Sequence, residues 1–268
     1  MKTPHNPFKA ALKAGQQQYG FWLGLCSPLS AELLGHTGYD WLLIDGEHAP
    51  NNIPSILSQL QALGSTDTHA VVRLVDDNPS TIKQALDIGA QSLLIPMVET
   101  AEQAKALVSA VSYPPAGTRG VGTALARAAS WNIRTDYFEA VQREFCLLIQ
   151  IESATAVQNL DEILAVDGID GVFIGPADLA ASLGHLNNPG HADVVKTIAD
   201  SIDKIRAAGL AAGTLATNKT VARERARQGV QFIALGVDTL ALAQSAKSIL
   251  STFHDQNDVS SDSGNGAY

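Results

Sequence analysis

The chain alternates between short apolar runs rich in branched residues and longer amphipathic stretches whose apolar positions recur with helical spacing. This alternation is typical of βα units, in which helices cover a parallel sheet. Eight apolar runs predict strands, at residues 21–26, 41–45, 70–74, 92–96, 146–151, 171–174, 211–215 and 232–236. Capping or turn residues predict helices from residue 30 onward and at 52–63, 79–88, 100–111 and 154–164.

Eight strands, each followed by a helix, in about 250 residues is the size of a (β/α)8 barrel. The strands are continuous apolar runs, as expected for strands buried on both faces. The alternative is an open doubly wound sheet. Ser27-Pro28-Leu29-Ser30 follows the first run where a dinucleotide-binding sheet would carry a Gly-rich loop, so that alternative and a nucleotide cofactor are disfavoured. We therefore predict an α/β protein with one domain, a TIM barrel over residues 1–254.

Two segments depart from this alternation of strands and helices. The interval 113–144, between predicted strands four and five, is longer than one helix and contains a Pro- and Gly-rich stretch. We expect an insertion loop there that covers an active site. Residues 255–268 are mostly Ser, Asp, Asn and Gly, which predicts a disordered tail.

Composition narrows the functional classes. The 268 residues are 46% hydrophobic and 17% charged, which is typical of a globular protein. A net charge of -9 without a basic cluster disfavours nucleic acid and membrane partners, and no run reaches the roughly 20 apolar residues of a membrane span. Cys26 and Cys146 lack disulfide or zinc-site spacing, and the N-terminus lacks the apolar stretch of a signal peptide. We expect a cytoplasmic protein.

Polar residues follow four of the predicted strands where those strands end. They are Asp45 and His48 after the second, Arg73 at the end of the third, Glu152 after the fifth and Asp178 after the sixth. In a (β/α)8 barrel the catalytic groups lie at these carboxyl ends. The sequence therefore predicts that these side chains share one barrel mouth.

Glu152 and Asp178 follow neighbouring strands, which run about 5 Å apart. Two carboxylates with no Cys or His beside them suit Mg²⁺ or Mn²⁺. The structural alternative has equal weight at this point: Asp178 is then a helix N-cap and Glu152 a solvated loop carboxylate.

His48 and Arg73 have two interpretations each. His48 can move a proton directly or through water, or it is simply an exposed loop residue. Arg73 can hold a carboxylate or neutralise an oxyanion, or it forms a structural ion pair with Asp45 or Glu47. A Schiff-base lysine is not expected, because the lysines of the predicted barrel fall on helices: Lys83, Lys105, Lys196, Lys204, Lys219 and Lys247.

Four segments carry a family resemblance. They are residues 42–51 (LLIDGEHAPN), 113–122 (YPPAGTRGVG), 150–152 (QIE) and 172–179 (VFIGPADL). Together they resemble the metal-dependent class II pyruvate aldolases, whose members act on 4-hydroxy-2-oxoheptane-1,7-dioate or on 2-keto-3-deoxy sugar acids. The resemblance covers about residues 8–253, and the segments 21–25 (FWLGL) and 124–128 (ALARA) bring it closest to the heptanedioate enzymes.

The resemblance implies a role for each site residue. Glu152 and Asp178 would hold a divalent metal ion (Mg²⁺, Mn²⁺ or Co²⁺), while Gln150 and the Ala177 backbone would position pyruvate. His48 would be the base. Arg73 would stabilise the enolate and the alkoxide, and Asp45 would be a further catalytic residue. Asp87 would raise the basicity of His48. The walls of the pocket would be formed by Trp22, Val121 and Leu215.

The resemblance also implies a reaction and an assembly. The reaction is reversible retro-aldol cleavage of 4-hydroxy-2-oxoheptane-1,7-dioate to pyruvate and succinate semialdehyde, through an enolate of pyruvate that the metal stabilises. The alternatives are an aldolase for a glucarate- or rhamnonate-type 2-keto-3-deoxy acid, a related lyase acting on a coenzyme A thioester, and a non-catalytic binding barrel. The implied assembly is a homohexamer, a trimer of dimers that exchange the C-terminal helix near residues 238–253.

Overall fold

Eight parallel strands close into a barrel in chain order in the computed structural model, which describes residues 1–254. Each strand pairs with its sequence neighbours, and the last pairs with the first. The strands are β1 (Gln18–Leu23), β2 (Trp41–Asp45), β3 (His69–Arg73), β4 (Ser92–Ile95), β5 (Cys146–Ile151), β6 (Gly171–Ile174), β7 (Ala211–Leu215) and β8 (Phe232–Val237). The predicted TIM barrel is confirmed.

Helices cover the outside of the barrel, and several of them begin at side-chain caps. Asn52 and Thr100, for example, accept hydrogen bonds from backbone N–H groups of the first turn. The helices are α1 (Pro7–Lys13), α2 (Pro28–Gly35), α3 (Ile53–Leu63), α4 (Pro79–Asp87), α5 (Ala101–Val111), α6 (Tyr137–Glu144), α7 (Ala154–Gln158), α8 (Leu160–Leu164), α9 (Pro176–Ser182), α10 (Ala192–Ala207), α11 (Lys219–Arg227) and α12 (Asp238–His254).

Three elements differ from the prediction. β1 begins earlier than expected and ends at Leu23, because Cys26 has a φ of 54° and Ser27 already caps α2. The single helix expected at 154–164 is two helices that meet at Asn159. Helix α1 was not predicted. The expected disordered tail at 255–268 lies outside the described residues.

Side chains that point into the barrel are apolar near its N-terminal end and polar at its C-terminal end. Leu43, Val71 and Leu148 form part of the apolar interior. The next inward positions, two residues further along β2, β3 and β5, are Asp45, Arg73 and Gln150. Helix α1 closes the opposite end. Its Phe8 ring lies 5.8 Å from the Trp41 ring and 5.9 Å from the Phe232 ring, centroid to centroid.

The insertion between β4 and β5 follows α5, which returns the chain to the N-terminal end of the barrel. The insertion packs against the end of α4: Arg119 Nη2 donates to Asp87 Oδ1 at 2.9 Å, and Arg127 Nη1 donates to the Ile88 carbonyl at 3.0 Å. The expectation that it covers the active site is therefore wrong for the mouth of its own barrel.

Helix α12 leaves the barrel with most of its side chains exposed, including large apolar ones: Leu240, Leu242, Ile249, Leu250 and Phe253. Within residues 1–254, none of the helices has the length and apolar character needed to cross a membrane.

Candidate active site

The predicted polar residues meet at the C-terminal end of the barrel. We call this site the mouth and define it by Asp45, Glu47, Arg73, Glu152 and Asp178. β2 and β3 pair so that Asp45 lies opposite Arg73, and β5 leads into Glu152. Asp178 follows β6, in the first turn of α9.

Arg73 and Asp45 form a buried bidentate ion pair. Arg73 Nε donates to Asp45 Oδ1 at 2.9 Å and Nη2 donates to Oδ2 at 2.7 Å. Trp22 Nε1 also donates to Oδ2, at 3.2 Å, and the guanidinium lies 5.0 Å from the centre of the Trp22 ring. Burial alone would raise the pKa of Asp45, but the hydrogen bond and charge of Arg73 outweigh it and hold that pKa below its ordinary value.

Asp45 also shapes the loop that follows β2. Its Oδ1 accepts hydrogen bonds from the backbone N–H groups of Glu47 at 3.0 Å and His48 at 3.3 Å. Gly46 is required between them, because a Cβ there would lie 2.6 Å from the Arg73 carbonyl oxygen. This turn directs both Glu47 and His48 toward the mouth.

Glu47 is a site residue that the sequence predicted only as a structural ion-pair partner of Arg73. Its Oε2 lies 2.7 Å from Arg73 Nη1, yet this buried oxygen has no hydrogen-bond partner in the described residues. Burial raises the pKa of Glu47, and the charges of Asp45 and Asp178 raise it further, against the lowering effect of Arg73 and His48. Its position two residues beyond a strand end was the available signal.

Glu152 is buried beside Gly175. Its Oε1 accepts from the Met97 N–H at 3.0 Å, and its Oε2 accepts from Gln150 Nε2 at 2.5 Å. A Cβ on residue 175 would lie 2.4 Å from Oε2, so only glycine admits the carboxylate in this position. Burial raises the pKa of Glu152, the charges of Glu47 and Asp178 add to this, and the two hydrogen bonds only partly oppose it.

The structural alternatives for the two predicted metal ligands are wrong. Glu152 is buried, not a solvated loop carboxylate. Asp178 is exposed and is not the N-cap of α9, since Gly175 takes that position without a side-chain cap. Arg73 does form the ion pair that was the alternative to function, but its Nη1 and Nη2 each keep a further N–H group.

The donor set of the mouth fits a hard divalent cation. The charge of Asp178 raises the pKa of both Glu47 and Glu152, and the charge of Glu47 raises that of Glu152, which is the repulsion that a cation would relieve. Glu47 Oε2 and Gln150 Oε1 are buried oxygens without a hydrogen-bond partner in residues 1–254. All of these are oxygen donors, as Mg²⁺ and Mn²⁺ prefer.

The other predicted residues divide into two groups. Trp22, Gln150 and Leu215 lie at the mouth, as do Ala177 and His48, whose side chain is 66% exposed with Nε2 4.0 Å from Glu47 Oε2. Asp87 and Val121 are not brought there. Asp87 ends α4 at the N-terminal end of the barrel and pairs with Arg119, and Val121 is exposed on the insertion.

Comparisons with known proteins agree with this architecture. The chain is 52% identical to a 4-hydroxy-2-oxo-heptane-1,7-dioate aldolase of Klebsiella pneumoniae, over 98% of this chain and all of that protein. It is also 52% identical to a hydroxypyruvate/pyruvate aldolase of Pseudomonas aeruginosa, over 94% of each chain.

A solved structure from Burkholderia cenocepacia J2315, described as a HpcH/HpaI aldolase/citrate lyase family protein, superposes with a TM-score of 0.90 at 37% identity. It covers 93% of this chain and 100% of its own. The profile of the same family matches residues 18–245. The chain therefore belongs to the HpcH/HpaI aldolase/citrate lyase family.

Proposed function

We propose that this protein is a class II aldolase, a lyase that reversibly cleaves 4-hydroxy-2-oxoheptane-1,7-dioate to pyruvate and succinate semialdehyde. The observation that carries the proposal is the mouth itself, where the buried Arg73 lies at the same end of the barrel as Glu152 and Asp178, two carboxylates suited to a divalent metal ion. The 52% identity to a 4-hydroxy-2-oxo-heptane-1,7-dioate aldolase supports the choice of substrate.

Glu152 and Asp178 would hold Mg²⁺, Mn²⁺ or Co²⁺. When bound, such an ion supplies Lewis-acid polarisation of a 2-oxo acid. Glu152 is fixed by Gln150 and the Met97 N–H, which leaves little freedom for its carboxylate to move away. Gln150 and the Ala177 N–H, which lies in the first turn of α9 and lacks an intrahelical acceptor, would orient the pyruvate half.

Arg73 and His48 would perform the proton and charge chemistry. His48 accepts the proton of the C4 hydroxyl as the C3–C4 bond breaks, and the electron pair of that bond forms the enolate of pyruvate. The free N–H groups of Arg73 stabilise the negative charge on oxygen during this step. A proton then returns to C3, which completes pyruvate. Asp45 keeps the guanidinium in place, and Trp22 and Leu215 line the pocket.

A second candidate reaction is aldol chemistry with hydroxypyruvate or pyruvate as the nucleophile and a different aldehyde. The observation that favours it is the equal identity, 52%, to the hydroxypyruvate/pyruvate aldolase of P. aeruginosa. Both reactions use the same groups at the mouth, so the two candidates differ only in the substituents that the pocket accepts.

The test is pyruvate release by chelator-treated enzyme from 4-hydroxy-2-oxoheptane-1,7-dioate, with Mg²⁺, Mn²⁺ or Co²⁺ added back. Borohydride treatment runs in parallel, since it traps a Schiff-base lysine but spares a metal-dependent site. Parallel assays with 2-keto-3-deoxy sugar acids and with hydroxypyruvate plus an aldehyde rank the alternatives. Turnover that survives chelation or is lost to borohydride would contradict the class II assignment.

We also propose that the protein is a homohexamer, a trimer of dimers, located in the cytoplasm. Two features support an assembly of several copies. Asp87 and Val121 lie away from the mouth of their own chain, and α12 carries exposed apolar side chains. A groove of about 600 Å³ on α11, lined in part by Ala222, Ala226 and Leu235, offers apolar surface for the α12 of another copy.

In such an assembly Asp87 would act on the His48 of a neighbouring copy. The test is to form mixed oligomers from His48→Asn chains and Asp87→Asn chains. Recovery of activity in the mixture is expected, since some sites then combine an intact His48 with an intact Asp87. Light scattering gives the number of copies, and an inactive mixture of hexamers would contradict the shared site.

A further inference from the structure

A cavity of about 580 Å³ lies at the N-terminal end of the barrel, opposite the mouth. It opens beside the first residues of β3 and is bounded by the ends of α3 and α4, the N-terminal segment and the insertion. Three arginines of the insertion line it: Arg119, Arg127 and Arg134. We call it the arginine cavity.

The guanidinium groups of the arginine cavity are incompletely paired. Arg119 is only 3% exposed; its Nη2 donates to Asp87 and Tyr137, but its Nε has no partner in the described residues. Arg127 donates to the Ile88 carbonyl at 3.0 Å, and Arg134 donates to the Ala128 carbonyl at 2.8 Å. The buried Arg134 Nε likewise lacks a partner within residues 1–254.

Arg119 forms an ion pair with Asp87, but Arg127 and Arg134 form none within the described residues. Glu144 already accepts hydrogen bonds from His5, the Asn6 N–H and Arg143. Asp67 is exposed and forms no ion pair with Arg127 or Arg134 in the described part of the chain. Burial lowers the pKa of both Arg127 and Arg134, and the charge of Asp136 only partly opposes this at Arg134.

We propose that the arginine cavity is a binding site for a small organic dianion, whose carboxylate or phosphate oxygens pair with Arg127 and Arg134. A planar guanidinium matches both oxyanions with two parallel N–H donors. The lining also includes the apolar residues Leu63, Leu86 and Phe145, which suit a short carbon skeleton. The volume is in the range of small-molecule sites. Neither Arg127 nor Arg134 has a role in the reaction proposed for the mouth.

Isothermal titration calorimetry on the full chain tests the proposal with three probes. Succinate represents a dicarboxylate without the 2-oxo group that favours metal chelation, glycerol 3-phosphate represents a phosphate ester, and sulfate represents a dianion without a carbon skeleton. The variant is Arg127→Gln/Arg134→Gln. The matched control is Lys105→Gln/Lys204→Gln, which removes two positive charges from exposed helix positions.

One organic probe is expected to bind with a Kd of about 1 mM or tighter, and sulfate more weakly. Loss of two charge-assisted contacts should weaken it at least about 100-fold in the arginine variant and not in the control. Arg134→Gln alone should give an intermediate loss if the double variant folds poorly, which circular dichroism monitors. The organic probe that binds more tightly shows whether the site prefers a dicarboxylate or a phosphate ester.

Three results would overturn the proposal. The first is no binding of either organic probe. The second is binding that survives in the arginine variant but disappears in Arg73→Ala, which would locate the ligand at the mouth. The third is a change of oligomeric state in the arginine variant with unchanged affinity, which would make the arginine cavity a contact between copies of the chain.

Discussion

The mouth and the arginine cavity lie at opposite ends of one barrel and have opposite charge. The mouth has four carboxylates and one guanidinium, which pairs with Asp45 and Glu47; the arginine cavity has three guanidinium groups, of which Arg119 pairs with Asp87. The mouth is built on strand ends, where paired backbones fix Asp45 opposite Arg73. The arginine cavity is built on an insertion. The side chains of the mouth are therefore positioned by the pairing of the barrel strands. The arginines of the cavity are positioned instead by contacts of the insertion with the end of α4 and within the insertion itself.

The largest expected effect on turnover comes from Glu152→Gln at the mouth. The variant keeps the shape of the side chain but loses the negative charge that a divalent cation needs. We expect pyruvate release to fall at least about 100-fold, with weaker Mn²⁺ binding measured by electron paramagnetic resonance. The control is Glu162→Gln, an exposed carboxylate on α8. Wild-type turnover in Glu152→Gln would remove Glu152 from the ligand set.

The Arg73→Lys variant distinguishes the effect of a positive charge at the mouth from the effect of the guanidinium geometry. Lysine keeps a cation near Asp45 but loses the fork that donates to both carboxylate oxygens. We expect kcat to fall about 100-fold, with Mn²⁺ affinity nearly unchanged, because Arg73 is not a metal ligand. If metal affinity falls as much as kcat, Arg73 acts mainly by holding the carboxylates of the mouth in place.

Gly175→Ala tests the close approach of Glu152. The new Cβ would lie 2.4 Å from Glu152 Oε2, so the carboxylate must move. We expect metal affinity and turnover to fall about tenfold, the size of effect typical when the support of a metal ligand is disturbed. Gly190→Ala is the matched control, since its nearest atom would be 3.8 Å away. Equal activity of the two variants would contradict this role for Gly175.

Acid pH should weaken metal binding at the mouth. The pKa values of Glu152 and Glu47 are both raised above 4.5, so their protonated forms persist to higher pH than in an ordinary carboxyl group. A metal ion must displace that proton, and its affinity should therefore fall as pH decreases, starting above pH 4.5. Mn²⁺ titrations from about pH 7.5 to about pH 5 measure this. A smaller slope in Glu47→Gln would assign part of it to Glu47.

The pKa shifts of Glu152 and Asp45 also make the stability of the fold depend on pH. In the metal-free protein, a raised pKa means that Glu152 contributes stability when it is protonated, and this contribution is lost as pH rises through its folded-state pKa. Asp45 has the opposite sign. Its lowered pKa contributes stability above its ordinary value of 3.8, and this is lost on acidification. Urea unfolding of Asp45→Asn across this range should lose that acid-side dependence.

The sequence predicted the barrel because its strands are buried on both faces and form distinct apolar runs. It predicted Asp45, Arg73, Glu152 and Asp178 at one site because strand ends converge in any such barrel. It could not place the insertion, because chain length does not reveal whether extra residues come before or after a helix. Helix α1 was not predicted because it has only 7 residues and begins at a proline, Pro7.

The arginine cavity could not be predicted for a related reason. Arg119 and Arg127 are near one another in sequence, but the walls they face come from α3, α4 and the N-terminal segment. Only the tertiary structure brings these together. Asp87 illustrates the same limit: its role was implied by resemblance, yet its position in the fold is at the end that carries the insertion.

The smallest expected effect on turnover belongs to Phe8→Ala, which opens the N-terminal end of the barrel. Phe8 is 1% exposed and packs between Trp41 and Phe232, so its loss should lower the free energy of unfolding by about 3–5 kcal/mol. The kcat of the folded enzyme should stay within about twofold, because apolar layers separate this end from Arg73. Leu186→Ala, 80% exposed, is the stability control. Urea unfolding and saturated turnover measure the two quantities. If kcat falls together with the free energy of unfolding, the packing around Phe8 affects catalysis at the mouth, and the two ends of the barrel do not act independently.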